Sequence, residues 1–191
     1  MRIGIGAPCH VDDKKYIPGF NTAIEDMTRK PDAVYVYEND GSEGLGVARR
    51  KVFDHLFHVE KCSVVLMCSI DHHLFPDILK HVDPFSITGF GYMAHKPADF
   101  VSIVKRLFSP FAWTGVYSIP RIFWNWFKRT PWAHKWDGEG DSIQWFALDE
   151  GINIHVVKSP KYWLLRYSER MKEYATELGG RRAVLKLMDA W

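Results

Sequence analysis

The sequence predicts an α/β protein, a three-layer α/β/α sandwich around a mostly parallel central sheet. Three observations carry that expectation. Strand-like and helix-patterned segments alternate through residues 1–84 with short connections between them. The run Val64-Val65-Leu66-Met67 has the continuous apolar character of a strand buried on both faces. Dense turn signals such as "ENDGSEG" fall after strands and before helices.

Taken in order, "RIGIGA" (2–7) alternates like a strand and ends in a loop at Pro8-Cys9-His10. Ile17, Phe20, Ile24 and Met27 recur at helical spacing, which predicts a helix over 16–29. "AVYVY" (33–37) is the second strand, stopping at the turn cluster. Val47, Phe53, Leu56 and Phe57 mark a helix over about 46–58. Val64 to Ile70 is the third strand, with Pro76 in the first turn of the helix expected next. Beyond residue 84, "FSITGFGYMA" and "AWTGVYSI" read as strands around a basic helix at "ADFVSIVKRLF". The aromatic, basic "PRIFWNWFKRTPWAHKW" follows, then a helix in "GDSIQWFALDEG" closing on Gly151, a strand in "INIHVV", and an amphipathic helix from Tyr162.

The chain has 191 residues, enough for one domain with a substantial core. A net charge of +2 makes no demand for a nucleic-acid footprint, so no nucleic-acid partner is expected. Three cysteines, Cys9, Cys62 and Cys68, are an odd number without paired spacing, which speaks against a disulfide framework and for a reducing compartment. Met1-Arg2 runs directly into a strand rather than a signal peptide, and no apolar run reaches the ~20 residues of a membrane span. The expected location is the cytoplasm, with peripheral membrane contact and a homodimer left open. The basic and aromatic belt from Lys105 to Trp136 is what an anionic membrane face would meet.

The chemistry concentrates where strands end. "ENDGS" (38–42) follows the second strand, "GLGVARR" (44–50) enters a helix, and "SIDHH" (69–73) follows the third strand. All three fall at one edge of a parallel sheet, the edge where α/β proteins bind ligands. An acid directly after a buried strand is costly to bury, so Asp71 should emerge there, with a divalent cation as its natural partner.

These segments, in this order, resemble the nucleotide-sugar half of GT-A-fold glycosyltransferases of the inverting family 2 type. That family carries "V-D-D-G-S", then "A-R-N" opening a helix, then a strand ending in D-x-D, then "P-D-x-L". Here the counterparts are "ENDGS", "ARR", "SID" and "FPDIL". Ser69 stands where the first acid of D-x-D would be, and Arg50 where the asparagine would be. The resemblance implies transfer of a sugar from a UDP- or GDP-linked donor to a hydroxyl on a glycan, protein or lipid-linked acceptor. Mn²⁺ or Mg²⁺ would neutralise the leaving diphosphate. Its metal candidates are Asp71, His73 and His155, imidazole favouring Mn²⁺. Its nucleotide-sugar candidates are Pro8, His10, Asn39, Asp40, Arg49, Ser69 and Ile70.

In the second half, "TGVYSIPRIFWNWF" resembles the strand and aromatic helix beside the acceptor, and "GEGDSIQWFALDEGINIHV" the helix bearing the catalytic base. A sugar hydroxyl is a poor nucleophile at neutral pH, so a carboxylate must take its proton as it attacks. The resemblance assigns that role to Asp141, with Glu139 as the fallback, although "DSIQ" also has the spacing of a capping box. The expected organisation is a catalytic domain over 1–157, divided into a donor half (1–84) and an acceptor half (85–157), with a helical extension over 158–191. The competing readings are a non-catalytic nucleotide-sugar binder of the same fold and, ranked lower, a nucleotidyltransferase. The latter would carry a glycine-rich basic loop after the first strand, where this chain has "GAPCHVDDKK".

Overall fold

The structure is a computed structural model that describes residues 1–92, 115–130 and 141–164. The first strand, β1 (Ile3–His10), shows why its alternation is not of the apolar/polar kind. Ile3, Ile5, Ala7 and Cys9 face one core cluster. Gly4 and Gly6 face the other side, where α2 (Leu45–Asp54) lies against them. A Cβ at Gly6 would stand 2.1 Å from a Val52 methyl, and one at Gly4 2.8 Å from the Cys62 sulfur. The glycines therefore set how closely the helix layer approaches the sheet.

The seven-stranded sheet has the spatial order β2 (Ala33–Asn39), β1, β3 (Val64–Met67), β6 (Tyr117–Pro120), β5 (Ile87–Tyr92), β7 (Ile154–Leu164), β4 (His72–Leu74). β1 pairs in parallel with β2 and β3, and β5 with β7, while β6 and β4 run against their neighbours. The sheet is mostly parallel in strand direction, as expected. One face carries α1 (Ile17–Glu25) and the 3-10 turn Ile78–His81, through Phe20, Met27, Ile78 and Leu79. The other carries α2, α3 (Arg121–Phe127) and α4 (Asp141–Asp149), through Val52, Phe53, Trp124, Phe127, Ile143 and Phe146. Each such buried side chain contributes roughly 1.5–3 kcal/mol relative to exposure, and together they hold the three layers.

Several elements differ from expectation. β1 runs on through Pro8 to His10, in register with Tyr37 to Asn39 of β2. The helix expected over 16–29 is present as α1, shorter than expected and entered through a 3-10 turn, Val11–Tyr16. α2 ends in a π-helical turn, His55–Val59, instead of continuing regularly to 58. The third strand stops at Met67, and a short antiparallel strand, β4, begins directly after Asp71. Only a 3-10 turn follows Pro76. The residues from Tyr162 do not start a helix: β7 continues to Leu164, pairing Tyr162 with Leu74 and Leu164 with His72. The boundary expected at 157 thus falls inside a strand. The basic helix expected near residues 98–108 and the tail beyond 164 lie outside the described residues.

Candidate active site

The strand registers bring the first-half candidates to one end of the sheet. His10 is level with Asn39, and Gly6 with Met67. Continuing both strands upward, His10, Asn39 and Asp71 reach the same edge. α2 also starts there: Gly44 caps it without a side-chain hydrogen bond, leaving the helix's positive end at that edge. A cleft of about 310 Å³ opens between the Val11–Tyr16 turn and the end of β2, lined by Val11, Lys14, Tyr37, Glu38, Asn39, Asp40, Ser42 and Glu43.

The turn over this cleft is held by its own side chains. Asn39 accepts from the Gly41 amide at 2.9 Å through Oδ1 and donates to the Glu43 carbonyl at 2.8 Å through Nδ2. Asp40 accepts from the Ser42 amide at 2.9 Å and its hydroxyl at 2.6 Å, and these hydrogen bonds, the hydroxyl's first, hold its carboxyl below the usual range. Gly41 has φ +90, and a Cβ there would come 2.8 Å from His10 Nε2, so glycine is required at that position. Glu43 is clamped by Lys51 and the Tyr37 hydroxyl, which together depress its carboxyl pKa. Asn39 and Asp40 thus shape the cleft. His10 is exposed beside it, its Nδ1 accepting from the Asp12 amide at 3.3 Å, and Pro8 is buried in β1.

Arg49 is the unusual residue. It sits on the sheet-facing side of α2 with 4% exposure, yet its Nε and Nη1 have no hydrogen-bond partner among the described residues. A buried guanidinium left so is expensive, since charged groups inside a protein are ordinarily paired. Burial pushes the Tyr117 phenol pKa up, and the nearby Arg49 charge pulls against it. Burial likewise raises the Cys68 thiol pKa, with Asp71 reinforcing and Arg49 opposing, so both ions lie within electrostatic reach of the end of β3.

Asp71 is 3% exposed at the junction of β3 and β4. The histidine beside it is His72, whose Nε2 is 3.9 Å from Asp71 Oδ1. Along the short strand, side chains alternate. His73 is half-buried on the opposite face from His72, where burial lowers its pKa and the Asp26 charge partly offsets that. His155 is exposed low on β7, level with Thr88, with its charge felt by Asp83. The structure therefore does not bring Asp71, His73 and His155 together, and among the described residues no three acids, histidines or cysteines form a metal-holding group. Ser69 uses its amide within the turn, and Ile70 is buried in the core. α4 descends from Asp141 toward Gly151 and the start of β7, so the backbone of Asp141 lies toward the same end of the sheet as Asp71. Glu139 lies outside the described residues.

No protein-family model matches the chain, and no curated protein matches it. Solved structures do. The catalytic domain of Drosophila β1,4-galactosyltransferase 7, in complex with xylobiose, superposes with a TM-score of 0.58 at 10% identity, over 84% of this chain and 69% of that one. The fold is GT-A. A mutant of the same enzyme, in complex with manganese, UDP-Gal and xylobiose, matches with a TM-score of 0.58 at 11% identity, over 89% and 74% of the two chains. A glycosyltransferase involved in glycosylation of the major capsid of PBCV-1 matches at 0.53 and 11%, covering 92% of this chain and all of that one. At these identities the likeness fixes the GT-A architecture, and the chemistry rests on the site residues.

Proposed function

We propose that this chain is a glycosyltransferase that moves a sugar from a nucleoside diphosphate donor to a hydroxyl acceptor. The observation that carries the reading is Arg49, a buried cation with unused donors, beside the uncapped start of α2 at the sheet edge. A diphosphate is the ligand such a place suits, since guanidinium and helix amides together favour multiply charged oxygens. The neighbouring cleft would take the nucleoside. β2 and β3 are two strand spacings apart, about 10 Å, a span that one nucleoside diphosphate can bridge from the cleft to Asp71. That two of the superposing structures contain xylobiose, one of them also UDP-Gal and manganese, supports a nucleotide-sugar donor and a glycan acceptor.

A divalent cation fits in one particular way. No all-protein cage is present among the described residues, but a hard cation held by one carboxylate and the substrate's phosphates needs none. Asp71 would be that carboxylate, and Mn²⁺ or Mg²⁺, when bound, would neutralise charge developing on the diphosphate. Arg49 would do the same from the α2 side. Asp141 would accept the proton of the attacking hydroxyl, and attack opposite the leaving diphosphate would invert the anomeric centre.

The test is release of UDP or GDP from a panel of UDP- and GDP-sugars offered with saccharide acceptors. Turnover should require Asp141 and fall by ~10²–10⁴-fold in Asp141→Asn, while donor binding persists. Binding of donors without turnover of any would favour the non-catalytic reading, and absence of both would exclude the site.

A further inference from the structure

The outward side of α3 is not what a solvent-facing helix ordinarily carries. Along Arg121–Phe127 and the two residues after it, the exposed positions are Ile122, Trp126 and Arg129, whose spacing puts them in one stripe. Ile122 is 69% exposed and Trp126 40%, while Trp124 and Phe127 fill the core behind them. The Trp126 ring meets that of Phe146 on α4 edge-on at 5.6 Å between centroids, which braces the indole while leaving it partly at the surface.

The stripe lies at the end of the molecule remote from the candidate active site. Arg121, at the start of α3, donates from its side chain to the Phe57 carbonyl and from its amide to the Ser63 carbonyl. Lys128, just past the end of α3, meets Asp54 at 3.1 Å and His58 Nε2 at 3.2 Å. All four partners belong to the end of α2, the turn that follows it, or the approach to β3. That is the opposite end of α2 from Gly44, so the stripe forms no wall of the cleft or of the edge holding Asp71.

Its charge has one sign. Residues 121–136 include Arg121, Lys128, Arg129 and Lys135 and no acid. The two acids flanking the adjoining His55–Val59 turn are engaged, Asp54 by Lys128 and Glu60 by Arg2 at 3.5 Å and His55 at 3.6 Å. The same turn leaves Val59 63% exposed and is followed by exposed Lys61. Acids return at the end of α4, where Asp149 and Glu150 are exposed.

We propose that this stripe is a peripheral docking site for an anionic phospholipid surface. Ile122 and Trp126 enter the headgroup region and Arg129 meets lipid phosphate. An indole and an aliphatic chain beside a guanidinium suit the boundary between water and bilayer. A stable protein interface buries about 800 Å² on each partner, more than one stripe of a seven-residue helix offers. So small an apolar area adsorbs weakly by itself, and negative headgroups supply the rest.

The test uses the full chain with vesicles of phosphatidylcholine alone or of equimolar phosphatidylcholine and phosphatidylserine. Wild type should sediment with the mixed vesicles, not with phosphatidylcholine alone, and high salt should release it. Ile122→Glu should bind at least ~10-fold more weakly, and Arg129→Gln about 5-fold more weakly, the share of one cation at such a surface. Both should keep the wild-type melting temperature. Cys9, Cys62 and Cys68 are buried, so an environment-sensitive thiol dye can be placed selectively. On mixed vesicles it should report an apolar surrounding in Ile122→Cys and none in Asn21→Cys, an exposed position on α1 across the sheet. Absence of binding to mixed vesicles, equal binding to both vesicle types, wild-type binding by Ile122→Glu, or the same dye response at both positions would overturn the proposal. So would a dimer that Ile122→Glu dissociates, which would make the stripe a contact between two copies of the chain. Should Ile122→Glu fail to fold, Arg129→Gln and the dye pair still decide the matter. None of these readouts needs nucleotide, so failure here leaves the donor-site reading untouched.

Discussion

Arg49 and Asp71 have opposite charges and the same predicament: each is nearly buried at the end of a sheet. For Arg49 the predicament separates stability from function. With Nε and Nη1 lacking partners among the described residues, removing the guanidinium forfeits few hydrogen bonds and recovers its desolvation cost. Arg49→Met should therefore leave the melting temperature unchanged or raise it, while UDP and GDP binding weakens by about 10–100-fold, the worth of a charge-assisted hydrogen bond. Thermal denaturation and calorimetry on one preparation read both. A variant that loses stability and binding together would make Arg49 a structural residue. The sequence marked Arg49 and Asp71 by their place after strands, and the structure keeps both at that edge. It carried His73 rather than His72 as a metal candidate, because a third strand expected to run to Ile70 leaves the two as equivalent loop residues. Once a new strand begins at His72, alternation puts the two on opposite faces. The available signal was Leu74, an apolar residue two positions on, which shares the face of His72.

At the scale of elements, two contacts set the architecture around the site. The first is α2 against β1. Gly6→Ala places a methyl where Val52 already stands and should cost about 1–3 kcal/mol by overpacking, measured by denaturant unfolding. Adding Val52→Ala should recover part of that loss, and a double variant no more stable than Gly6→Ala would refute the steric account. The alternation in "IGIGA" announced a strand, but only packing revealed that its glycines are a landing surface for a helix. The second contact ties β7 to the turn after β4. Lys161, largely buried, donates to Asp77 Oδ2 at 2.7 Å, and His81 Nε2 lies 3.4 Å from the same oxygen. Burial raises the Asp77 pKa, but Lys161 and His81 outweigh it and hold the carboxyl below its usual value. A depressed carboxyl binds fewer protons folded than unfolded. Its stabilisation is therefore complete above the unfolded pKa, near 3.9, and is lost as pH falls through the folded one. Asp77→Asn should lose about 1–2 kcal/mol at neutral pH, less than a fully buried pair because Asp77 is partly in water. Its acid unfolding curve should also be flatter. An unchanged acid limb would show that the pair contributes nothing. Here "FPDIL" was read as a motif opening a helix, whereas its aspartate serves as the anchor of a strand that the sequence reading ended too early, at the break in apolar pattern around Lys158-Ser159-Pro160.

For the whole molecule, the sheet order places two groups of candidate residues at one end. The parallel strands β1, β2 and β3 deliver the cleft, Arg49 and Asp71, and the antiparallel β6 and descending α4 return the chain so that Asp141 starts near that end. This topology was legible in outline because short β-α-β connections leave few alternatives. The interleaving of β6, β5, β7 and β4 was not, since nothing local in "FSITGFGYMA" or "INIHVV" says which strand lies beside which. The measurement that tests the central claim most directly is calorimetric binding of UDP and GDP to the full chain, with and without Mn²⁺, in wild type and Asp71→Asn. The account predicts that one nucleotide binds, that Mn²⁺ tightens it, and that Asp71→Asn abolishes the tightening while sparing residual binding through Arg49. Absence of binding by either nucleotide under any metal condition, or a metal response that survives in Asp71→Asn, would contradict it.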